Sequence, residues 1–403
     1  MTEAPKPHGP LQGIKVLELG QLIAGPFTGS LLGYFGAEVI KVEKPGDGDP
    51  LRKWRMMDGD TSLWWASMAR NKKCITANLH SEAGREIIRK LAAESDVLIE
   101  NFRPGAMEKW GLGPDELREN NPGLIYARVS GYGQDGPYSN KLGFASVCEG
   151  FGGFRYLNGF PDRPPVRPNL SMGDTLAALH TALGIVMACV RKLTDPEGRG
   201  QIIDVAIYEA VFNLLESVVP EYDRGGEIRE CSGSTLTGIV PTNTYRCKDG
   251  KDVIIGANGD SIFKRLTVAM GRPEMGDDPH YADNAGRVEH EPEIDAAIKA
   301  WMSSMTGDEA LRVLEEADVP SGPIYSVADM MTDEHYNARG LFETVEFNGS
   351  PLKIPAIIPK LSETPGATLW PGPELGAHTE EILSGMLGMS AEEIERLKES
   401  GDI

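Results

Sequence analysis

The stretch Ile14-Lys15-Val16-Leu17-Glu18-Leu19 and the residues that follow it decide the fold class. The run has the apolar and β-branched character of a strand, Gly20 to Pro26 predicts a loop, and Phe27 to Phe35 predicts a helix. Val39-Ile40-Lys41-Val42-Glu43 then predicts a second strand. A strand, loop, helix and strand in this order predict an α/β fold that begins a parallel, doubly wound sheet.

The same pattern continues along the chain and predicts two domains. Strands are predicted at 96–100, 124–129 and 201–206, and helices at 82–93 and 208–218. After a glycine- and arginine-rich linker at 221–238, an Asp-Gly turn predicts a hairpin of 244–247 with 253–256, and helices follow near 261–270, 292–305 and 307–317. We expect a large domain over 1–220, a smaller α+β domain over 221–334, and a return to the large domain over 335–403.

The composition limits the classes of partner. The 403 residues carry 60 acidic and 40 basic side chains, a formal net charge of −20, which argues against nucleic acid or an anionic membrane as the main partner. A phosphate-bearing ligand would therefore need a locally basic pocket. The five cysteines have no metal-ligand spacing, so we interpret them as reduced thiols of a cytoplasmic protein without a metal or redox cofactor.

Targeting segments and several common catalytic signatures are not found in the sequence. Residues 1–7 lack the apolar core of a signal peptide, and the longest uncharged run, Thr175 to Val190, is shorter than the about 20 residues that span a bilayer. Gly20 to Pro26 lacks the G-x-G-x-x-G spacing, and the chain has no Walker A, H-E-x-x-H or G-x-S-x-G sequence. These absences weaken the interpretation as a dehydrogenase or an esterase, and we expect no association with a membrane.

Asp174 is the predicted centre of the chemistry. It lies in Ser171-Met172-Gly173-Asp174, where a proline-rich loop gives way to an apolar helix. Unpaired helix N–H groups favour a negative charge there, and the preceding glycine lets a substrate approach the backbone. Such a carboxylate can act as a nucleophile toward an activated acyl compound. The alternative is that Asp174 is only the N-cap of the helix, because aspartate is a favoured N-cap residue.

Several short segments, in order from end to end of the chain, together resemble the class III coenzyme A (CoA) transferases, the family of the formyl-CoA and carnitine CoA-transferases. The segments are Leu17-Glu18-Leu19 with Ala24-Gly25-Pro26, Gly36 to Glu43, Gly46 to Arg52, Asn71-Lys72-Lys73, Glu100 to Gly105, Ser130 to Gly133, Gly173-Asp174, Gly198 to Gln201, Pro320 to Pro323, and Leu375 to Thr379. The resemblance implies a large Rossmann-like domain, a smaller domain, and a homodimer whose two subunits interlock like chain links.

The resemblance also implies a reaction in which CoA and acyl-CoA are substrates and not permanently bound cofactors. The aspartate that matches Asp174 attacks the thioester of a donor acyl-CoA and forms an aspartyl-acyl anhydride, and an aspartyl-CoA thioester then completes the exchange with an acceptor acid. The anhydride must be kept from water, and the oxyanion needs N–H donors. Gly152-Gly153 or Asn258-Gly259-Asp260 could supply these donors, although each also fits a simple turn.

Most of the implied CoA-binding positions follow predicted strands. Ile23 and Ala24 fall near the pantetheine, Lys44 near the adenosine phosphates, Ala77, Asn78, Leu79 and His80 at the adenine, and Asn101, Phe102, Arg103 and Lys109 along the pyrophosphate and pantetheine. Phe144 and Ala145 complete this set. The cations Lys44, Arg103 and Lys109 suit phosphate chemically, and the alternative is that they are solvated surface cations.

Two departures from the family pattern reduce the number of activities that the resemblance allows. Formyl-CoA transferases have Gln at the position of Ile23 and Glu at the position of Ala145, which disfavours formyl or oxalyl transfer. The α-methylacyl-CoA racemases share the fold but pair the aspartate with His-Asp, where this chain has Phe144-Ala145. Phenylalanine cannot exchange a proton, so racemisation is disfavoured.

The remaining sequence around the site resembles family members that act on C4–C5 dicarboxylates with succinyl-CoA as the donor. The segments that carry this resemblance are Gly143 to Gly153 and Asn158 to Pro168. Arg163 or Arg167 could hold a second carboxylate, or could brace the loop. The leading hypothesis is therefore CoA transfer from succinyl-CoA to an acid such as malate or citramalate. The alternatives are an acyl-CoA racemase and a CoA-binding protein without turnover.

Overall fold

The computed structural model describes residues 9–403, so the expectation about a signal peptide at residues 1–7 lies outside the described part. The strands are β1 (Lys15–Glu18), β2 (Glu38–Glu43), β3 (Met57–Asp58), β4 (Thr61–Ser62), β5 (Lys72–Thr76), β6 (Val97–Glu100), β7 (Ile125–Ser130), β8 (Ile202–Ala206), β9 (Thr242–Arg246), β10 (Asp252–Gly256), β11 (Ser321–Pro323), β12 (Phe342–Phe347) and β13 (Ser350–Pro355).

The helices alternate with these strands over most of the chain. They are α1 (Ala24–Tyr34), α2 (Leu63–Met68), α3 (Glu82–Ala93), α4 (Ala106–Lys109), α5 (Pro114–Asn120), α6 (Ala145–Phe151), α7 (Phe154–Leu157), α8 (Met172–Thr194), α9 (Ile207–Phe212), α10 (Val218–Gly225), α11 (Asp260–Ala269), α12 (Pro273–Asp277), α13 (Asn284–Glu289), α14 (Glu291–Met302), α15 (Gly307–Glu316), α16 (Val327–Thr332), α17 (Glu334–Ala338), α18 (Thr379–Gly385) and α19 (Ala391–Glu399).

A six-stranded parallel sheet organises the larger part of the molecule. Its strand order is β5-β2-β1-β6-β7-β8, and every neighbouring pair is parallel. Alternate residues of a strand point to opposite faces, and each face has its own core. Leu17 packs with residues of α3 and α18, whereas Val16 packs with residues of α1 and α8. The predicted α/β class with a parallel sheet, covered by helices on both faces, is confirmed.

The chain divides into two compact units. Among the described residues, the first contains 9–154, 168–216 and 335–403, and the second contains 155–167 and 217–334. The segment 155–167, which was expected in the large domain, belongs to the second unit because it pairs there, as in the hydrogen bond from the Gly233 N–H to the Gly159 carbonyl at 2.8 Å. In the second unit, strands β11-β10-β9 form a three-stranded antiparallel sheet against a core that includes Phe263, Ile298 and Leu314.

Two predicted boundaries are wrong for identifiable reasons. Helix α1 begins at Ala24, so Ala24-Gly25-Pro26 is the first turn of the helix and not a loop, and proline is tolerated in a first turn because its missing N–H would be unpaired there. The helix predicted over 208–218 ends at Phe212, and α10 occupies the beginning of the predicted linker 221–238.

Helix α8 is longer than the uncharged run suggested. In the described part of the chain it is long and apolar enough to cross a membrane, judged by length and composition alone. The run Thr175 to Val190 appeared too short, but the helix continues through Arg191 and Lys192 to Thr194. A core helix of a soluble protein passes the same test, so this property by itself does not assign a membrane.

Candidate active site

The carboxyl ends of the parallel strands meet at one edge of the sheet, and the strand order reverses between β1 and β6. Ligands of open α/β sheets bind at such a reversal. The loop after β1 and the loop after β6 are joined there by Asn101, whose Oδ1 accepts a hydrogen bond from the Gln21 N–H at 2.7 Å and whose Nδ2 donates to the Gln21 carbonyl at 2.8 Å. Both polar ends of Asn101 therefore shape the loop, although the sequence assigned this side chain to the pantetheine path.

Asp174 lies at the beginning of α8, beside this edge. The N-cap of α8 is Ser171, so Asp174 occupies the third helical position, and the alternative that Asp174 is the N-cap is wrong. Its side chain is half-buried. The positive end of the helix dipole lies at this first turn, where negative charge is stabilised.

Gly173 allows α8 to pack closely against its neighbours at the site. A Cβ atom on Gly173 would lie 3.0 Å from Ile207 Cγ2 and 3.4 Å from both Ala145 Cβ and Glu149 Cγ. The Gly173 N–H donates to Glu149 Oε1 at 3.2 Å, and Glu149 is fully buried. The sequence singled out Ala145, and the structure places it beside the residue that precedes Asp174.

The surroundings of Asp174 are largely apolar. Ala24, Cys148, Ala177 and Ile207 belong to one buried cluster at this end of α8. Burial, together with the negative charges of Asp174 and Glu149, raises the pKa of the Cys148 thiol to about 11. Cys148 is therefore a protonated thiol at neutral pH, and since the thiolate is the nucleophilic form, it does not compete with Asp174.

A basic cleft lies along the predicted phosphate path. It encloses about 320 Å³ and is lined by Arg103, Lys109 and Lys141, with Trp110 at one wall. Arg103 and Lys109 were predicted from the sequence, whereas Lys141 was missed. In a chain with a net charge of −20, three cations around one cleft form the locally basic pocket that a phosphate needs.

An aromatic chain connects this cleft to the predicted adenine segment. The ring centroids of Phe102 and Trp110 are 5.2 Å apart, and those of Trp110 and His80 are 5.6 Å apart, each pair in an edge-to-face arrangement. The backbone of Asn78 is fixed by a hydrogen bond from its N–H to the Asp402 carbonyl at 2.8 Å. Leu79 packs against the core beneath.

Other predicted positions are placed differently. Ile23 is buried in one cluster with Leu51 and Trp65. Ala77 is also buried. Phe144 is 71% exposed at the beginning of α6. Lys44 is exposed and pairs with Asp47 at 2.5 Å.

A second cleft lies next to Lys44. It encloses about 430 Å³, and its lining includes Pro45 and Gly46, which directly follow Lys44, together with Thr76, Gly376 and Lys398. Within residues 9–403, no group of three or more His, Cys, Asp or Glu side chains is arranged to hold a metal ion.

The two glycine segments considered as oxyanion donors have structural roles. A Cβ atom on Gly152 would lie 2.7 Å from the Tyr208 carbonyl oxygen, so the glycine permits close packing of α6 on α9. Gly259 is the N-cap residue of α11. Both observations agree with the interpretation of these segments as turns.

Buried charges of Glu100 and Arg128 support the loop after β6, and they predict how the stability of the protein depends on pH. Burial raises the pKa of Glu100 to about 7, although Arg128 hydrogen bonds to its carboxylate at 2.8 Å, and its other oxygen accepts the Phe102 N–H at 2.7 Å. Because the pKa in the folded state lies above the ordinary 4.5, this contribution to stability is complete below pH 4.5 and is lost as the pH rises through about 7.

We expect Glu100→Gln to remove this pH dependence. Urea unfolding at pH 5 and pH 8 should show the wild type losing about 3 kcal/mol relative to the variant between the two pH values. Glu108→Gln is the matched control, since Glu108 shares Arg128; burial tends to raise its pKa, but hydrogen bonds from Arg128 lower it below the usual value. A gap between wild type and Glu100→Gln that stays constant with pH would contradict this assignment.

Comparison with known proteins identifies the family of this chain. The sequence model of CoA-transferase family III matches residues 11–379. The chain is 46% identical to succinyl-CoA–D-citramalate CoA-transferase of Chloroflexus aurantiacus over 98% of each protein. It is also 46% identical to the alpha subunit of succinyl-CoA–L-malate CoA-transferase of the same organism, over 96% of this chain and 91% of that subunit.

Solved structures show the same fold. The crystal structure of a CAIB/BAIF family protein from Brucella suis superposes with a TM-score of 0.81 at 32% identity, covering 94% of this chain and 100% of that one. The family match extends over nearly the whole chain and includes both the loop after β1 and the Asp174 region. The chain belongs to CoA-transferase family III and is a CoA-transferase.

Proposed function

We propose that this enzyme moves CoA from succinyl-CoA to a C4–C5 hydroxy dicarboxylate such as citramalate or malate, with Asp174 as the nucleophile. The observation that carries the proposal is the 46% identity to succinyl-CoA–D-citramalate CoA-transferase over 98% of both chains. It is supported by the place of Asp174 in the first turn of α8. Ala24 and Ala145 beside it provide small apolar neighbours for the thioester end of the donor.

The proposed chemistry begins with attack of an Asp174 carboxylate oxygen on the thioester carbonyl carbon. The C–S bond breaks, CoA leaves as a thiolate, and a mixed anhydride remains on Asp174. The carboxylate of the acceptor attacks the succinyl carbonyl of this anhydride, so that Asp174 is released and a succinyl-acceptor anhydride forms. Alternatively, the thiolate attacks the aspartyl carbonyl, which releases succinate and leaves an aspartyl-CoA thioester. The acceptor carboxylate attacks this thioester, which expels the thiolate and forms an aspartyl-acceptor anhydride. The thiolate then attacks the acceptor carbonyl of that anhydride, which forms the product thioester and releases the Asp174 carboxylate. We propose the second route, because it keeps each intermediate on the enzyme.

The arrangement around Asp174 supports this route. Both intermediates hydrolyse in water, and the buried cluster of Ala24, Cys148, Ala177 and Ile207 excludes water from one side of the carboxylate. The basic cleft of Arg103, Lys109 and Lys141 would bind the CoA phosphates and keep the departing thiolate tethered.

Mass spectrometry tests the intermediate and a substrate panel tests the specificity. The enzyme is incubated with succinyl-CoA and hydroxylamine, digested, and searched for a hydroxamate or a CoA thioester on the peptide that contains Asp174. The acceptors malate, citramalate, glutarate, oxalate and carnitine are then compared by kcat/KM. Exchange of the α-proton of a 2-methylacyl-CoA with deuterium, without an adduct on Asp174, would instead identify a racemase. Binding of CoA with neither result would identify a protein without turnover.

The phosphate assignment predicts a change in KM alone. We expect Lys141→Met to raise the KM for succinyl-CoA about ten-fold and to change kcat less than about two-fold, because the lost contact holds the ground state and the transition state equally. Lys90→Met is the control, since Lys90 is exposed on α3 outside both clefts and the change in net charge is the same. A drop in kcat at constant KM would contradict the assignment.

We also propose that two copies form an interlocked homodimer in the cytoplasm. Helix α8 exposes an apolar stripe at helical spacing, formed by Leu179, Leu183, Val186, Met187, Val190 and Leu193. A continuous apolar face of this length is typical of an interface. The five cysteines are free thiols, as expected in a reducing compartment.

Sedimentation analysis tests the homodimer. We expect the wild type to sediment as a dimer and Leu183→Asp to shift it toward monomer, because Leu183 lies in the middle of the stripe and is 54% exposed. A wild type that sediments as a monomer at micromolar concentration would contradict the homodimer. A dimer that forms only with a second, related chain would indicate a hetero-oligomer, as the name of the alpha-subunit relative suggests for that protein.

A further inference from the structure

A group of buried charges lies between β1, β2 and β5. Lys41 Nζ is 3.3 Å from Glu18 Oε1 and 3.0 Å from Asp49 Oδ2, and Lys72 Nζ is 2.8 Å from Glu18 Oε2. All four side chains are completely buried. Nothing in the proposed reaction uses them directly, and apolar residues of similar volume would often give an equally stable core.

Three of these side chains end on the backbone of residues 20–26, the loop after β1 together with the first turn of α1, which is called the loop 20–26 below. Lys41 Nζ donates to the Gly20 carbonyl at 2.5 Å, and Lys72 Nζ donates to the Pro26 carbonyl at 2.6 Å. The Leu22 N–H donates to both carboxylate oxygens of Asp49, at 3.1 Å and 3.2 Å. The buried charges thus hold this loop at its beginning, its middle and its end.

The middle contact coincides with backbone strain. Leu22 has a φ of +64°, in the left-handed region that residues other than glycine rarely adopt. Such a conformation is strained and persists only where the surroundings impose it. Asp49 imposes it from a fixed position, because its Oδ1 also accepts the Leu51 N–H at 2.9 Å.

The strained residue sets the direction in which α1 begins. Ile23 is the N-cap residue of α1, and Ala24 is the first residue of the helix. Ala24 packs in the same buried cluster as Ala177 and Cys148, at the end of α8 that carries Asp174. A relaxed conformation at Leu22 would therefore move the backbone that lies opposite the nucleophile.

We propose that Asp49, held by Lys41, is a positioning residue that keeps Leu22 in its left-handed conformation and so fixes the loop 20–26 for binding of the CoA thioester. The inference rests on the proposed function, because the loop matters for catalysis only if the thioester binds beside it. When the hydrogen bonds between the Leu22 N–H and the Asp49 carboxylate are weakened, the loop 20–26 is in its binding conformation for a smaller fraction of the time. The apparent affinity for the thioester falls by that fraction, while the chemistry of the bound complex is nearly unchanged.

The main test compares an isosteric change of Asp49 with a conservative change of a nearby buried residue outside this group. Asp49→Asn keeps the size of the side chain but loses the ion pair with Lys41 and turns one acceptor into a donor. Arg52→Lys is the control. Arg52 is buried in the same region and makes two hydrogen bonds to Glu43, at 2.7 Å and 2.8 Å, but none of its hydrogen bonds reaches the loop.

We expect Asp49→Asn to raise the KM for succinyl-CoA about ten-fold or more with kcat within about three-fold, and Arg52→Lys to lower the melting temperature without this change in KM. Hydrogen exchange of a peptide covering residues 20–27 should become faster in Asp49→Asn only. Equal KM values in the two variants at comparable loss of melting temperature would overturn the inference.

A second variant avoids the buried charges altogether. Leu22→Val leaves every ion pair in place, but a β-branched residue is more strained at this φ, so KM should again rise several-fold. An unchanged KM in Leu22→Val would also count against the inference. Wild-type turnover with the acceptor panel is measured first: a wild type without turnover overturns the proposed function, whereas an active wild type with unchanged KM in Asp49→Asn overturns only the positioning role.

Discussion

Asp174→Ala is expected to lower CoA exchange by about 10⁴-fold or more, because it removes the atom that becomes covalently acylated. Neighbouring groups offer no replacement. Cys148 is a buried thiol whose pKa is raised to about 11, and Glu149 is fully buried with its carboxylate bonded to the Gly173 N–H. The measurement is the rate of succinyl-CoA consumption in the presence of an excess of acceptor acid.

Binding of CoA should survive the same substitution. The basic cleft of Arg103, Lys109 and Lys141 does not include Asp174, so the dissociation constant for CoA, measured by calorimetry, should stay within about three-fold of the wild type. Asp195→Ala is the matched control, because Asp195 is the carboxylate at the other end of α8 and should be dispensable for turnover. Turnover that persists in Asp174→Ala would remove Asp174 from the reaction.

The strands of the sheet were mostly predictable because each contains a short run of apolar and β-branched residues. β1, β2, β6 and β7 are almost wholly buried, and their charged residues, such as Glu18 and Lys41, form ion pairs inside the protein. No strand was predicted at β5, whose sequence begins with two charged residues, Lys72 and Lys73. Lys72 can be buried only because Glu18 of a different strand neutralises it, and local sequence does not contain that pairing.

Site residues were predictable where a short segment by itself marks a structural feature, such as the start of a helix. Site residues were missed where segments distant in the sequence come together. Asp174 lies at a helix start that the sequence marks clearly. Lys141 reaches the basic cleft from a loop between β7 and α6, whose path follows no periodicity. The contact of Glu149 with the Gly173 N–H is similarly a product of packing between two helices. The resemblance places Ile23 near the pantetheine, and the structure buries its side chain in a cluster with Leu51 and Trp65, which come from more distant segments of the chain.

Arg287→Met should cause the largest loss of stability in the second unit. Arg287 is completely buried and its guanidinium donates to the carbonyls of Val240 at 3.0 Å, Tyr281 at 3.0 Å and Asn258 at 2.5 Å, and to Asp260 Oδ1 at 2.8 Å. Methionine fills much of the volume but donates no hydrogen bond. Each carbonyl left buried without a donor costs about 1–3 kcal/mol, so we expect a total loss of about 4 kcal/mol in the free energy of unfolding.

Arg246→Met provides the control for this prediction. Arg246, like Arg287, pairs with an aspartate, but Arg246 is exposed whereas Arg287 is buried. Arg246 makes two hydrogen bonds to Asp252, at 2.5 Å and 2.9 Å, but its side chain is 67% exposed. An exposed ion pair contributes less than about 1 kcal/mol, so this variant should unfold at nearly the wild-type urea concentration. The fluorescence of Trp301, which packs against the core of the second unit, reports the transition. Similar losses in the two variants would mean that the burial of Arg287, and the three carbonyls that it satisfies, do not determine the stability of this unit.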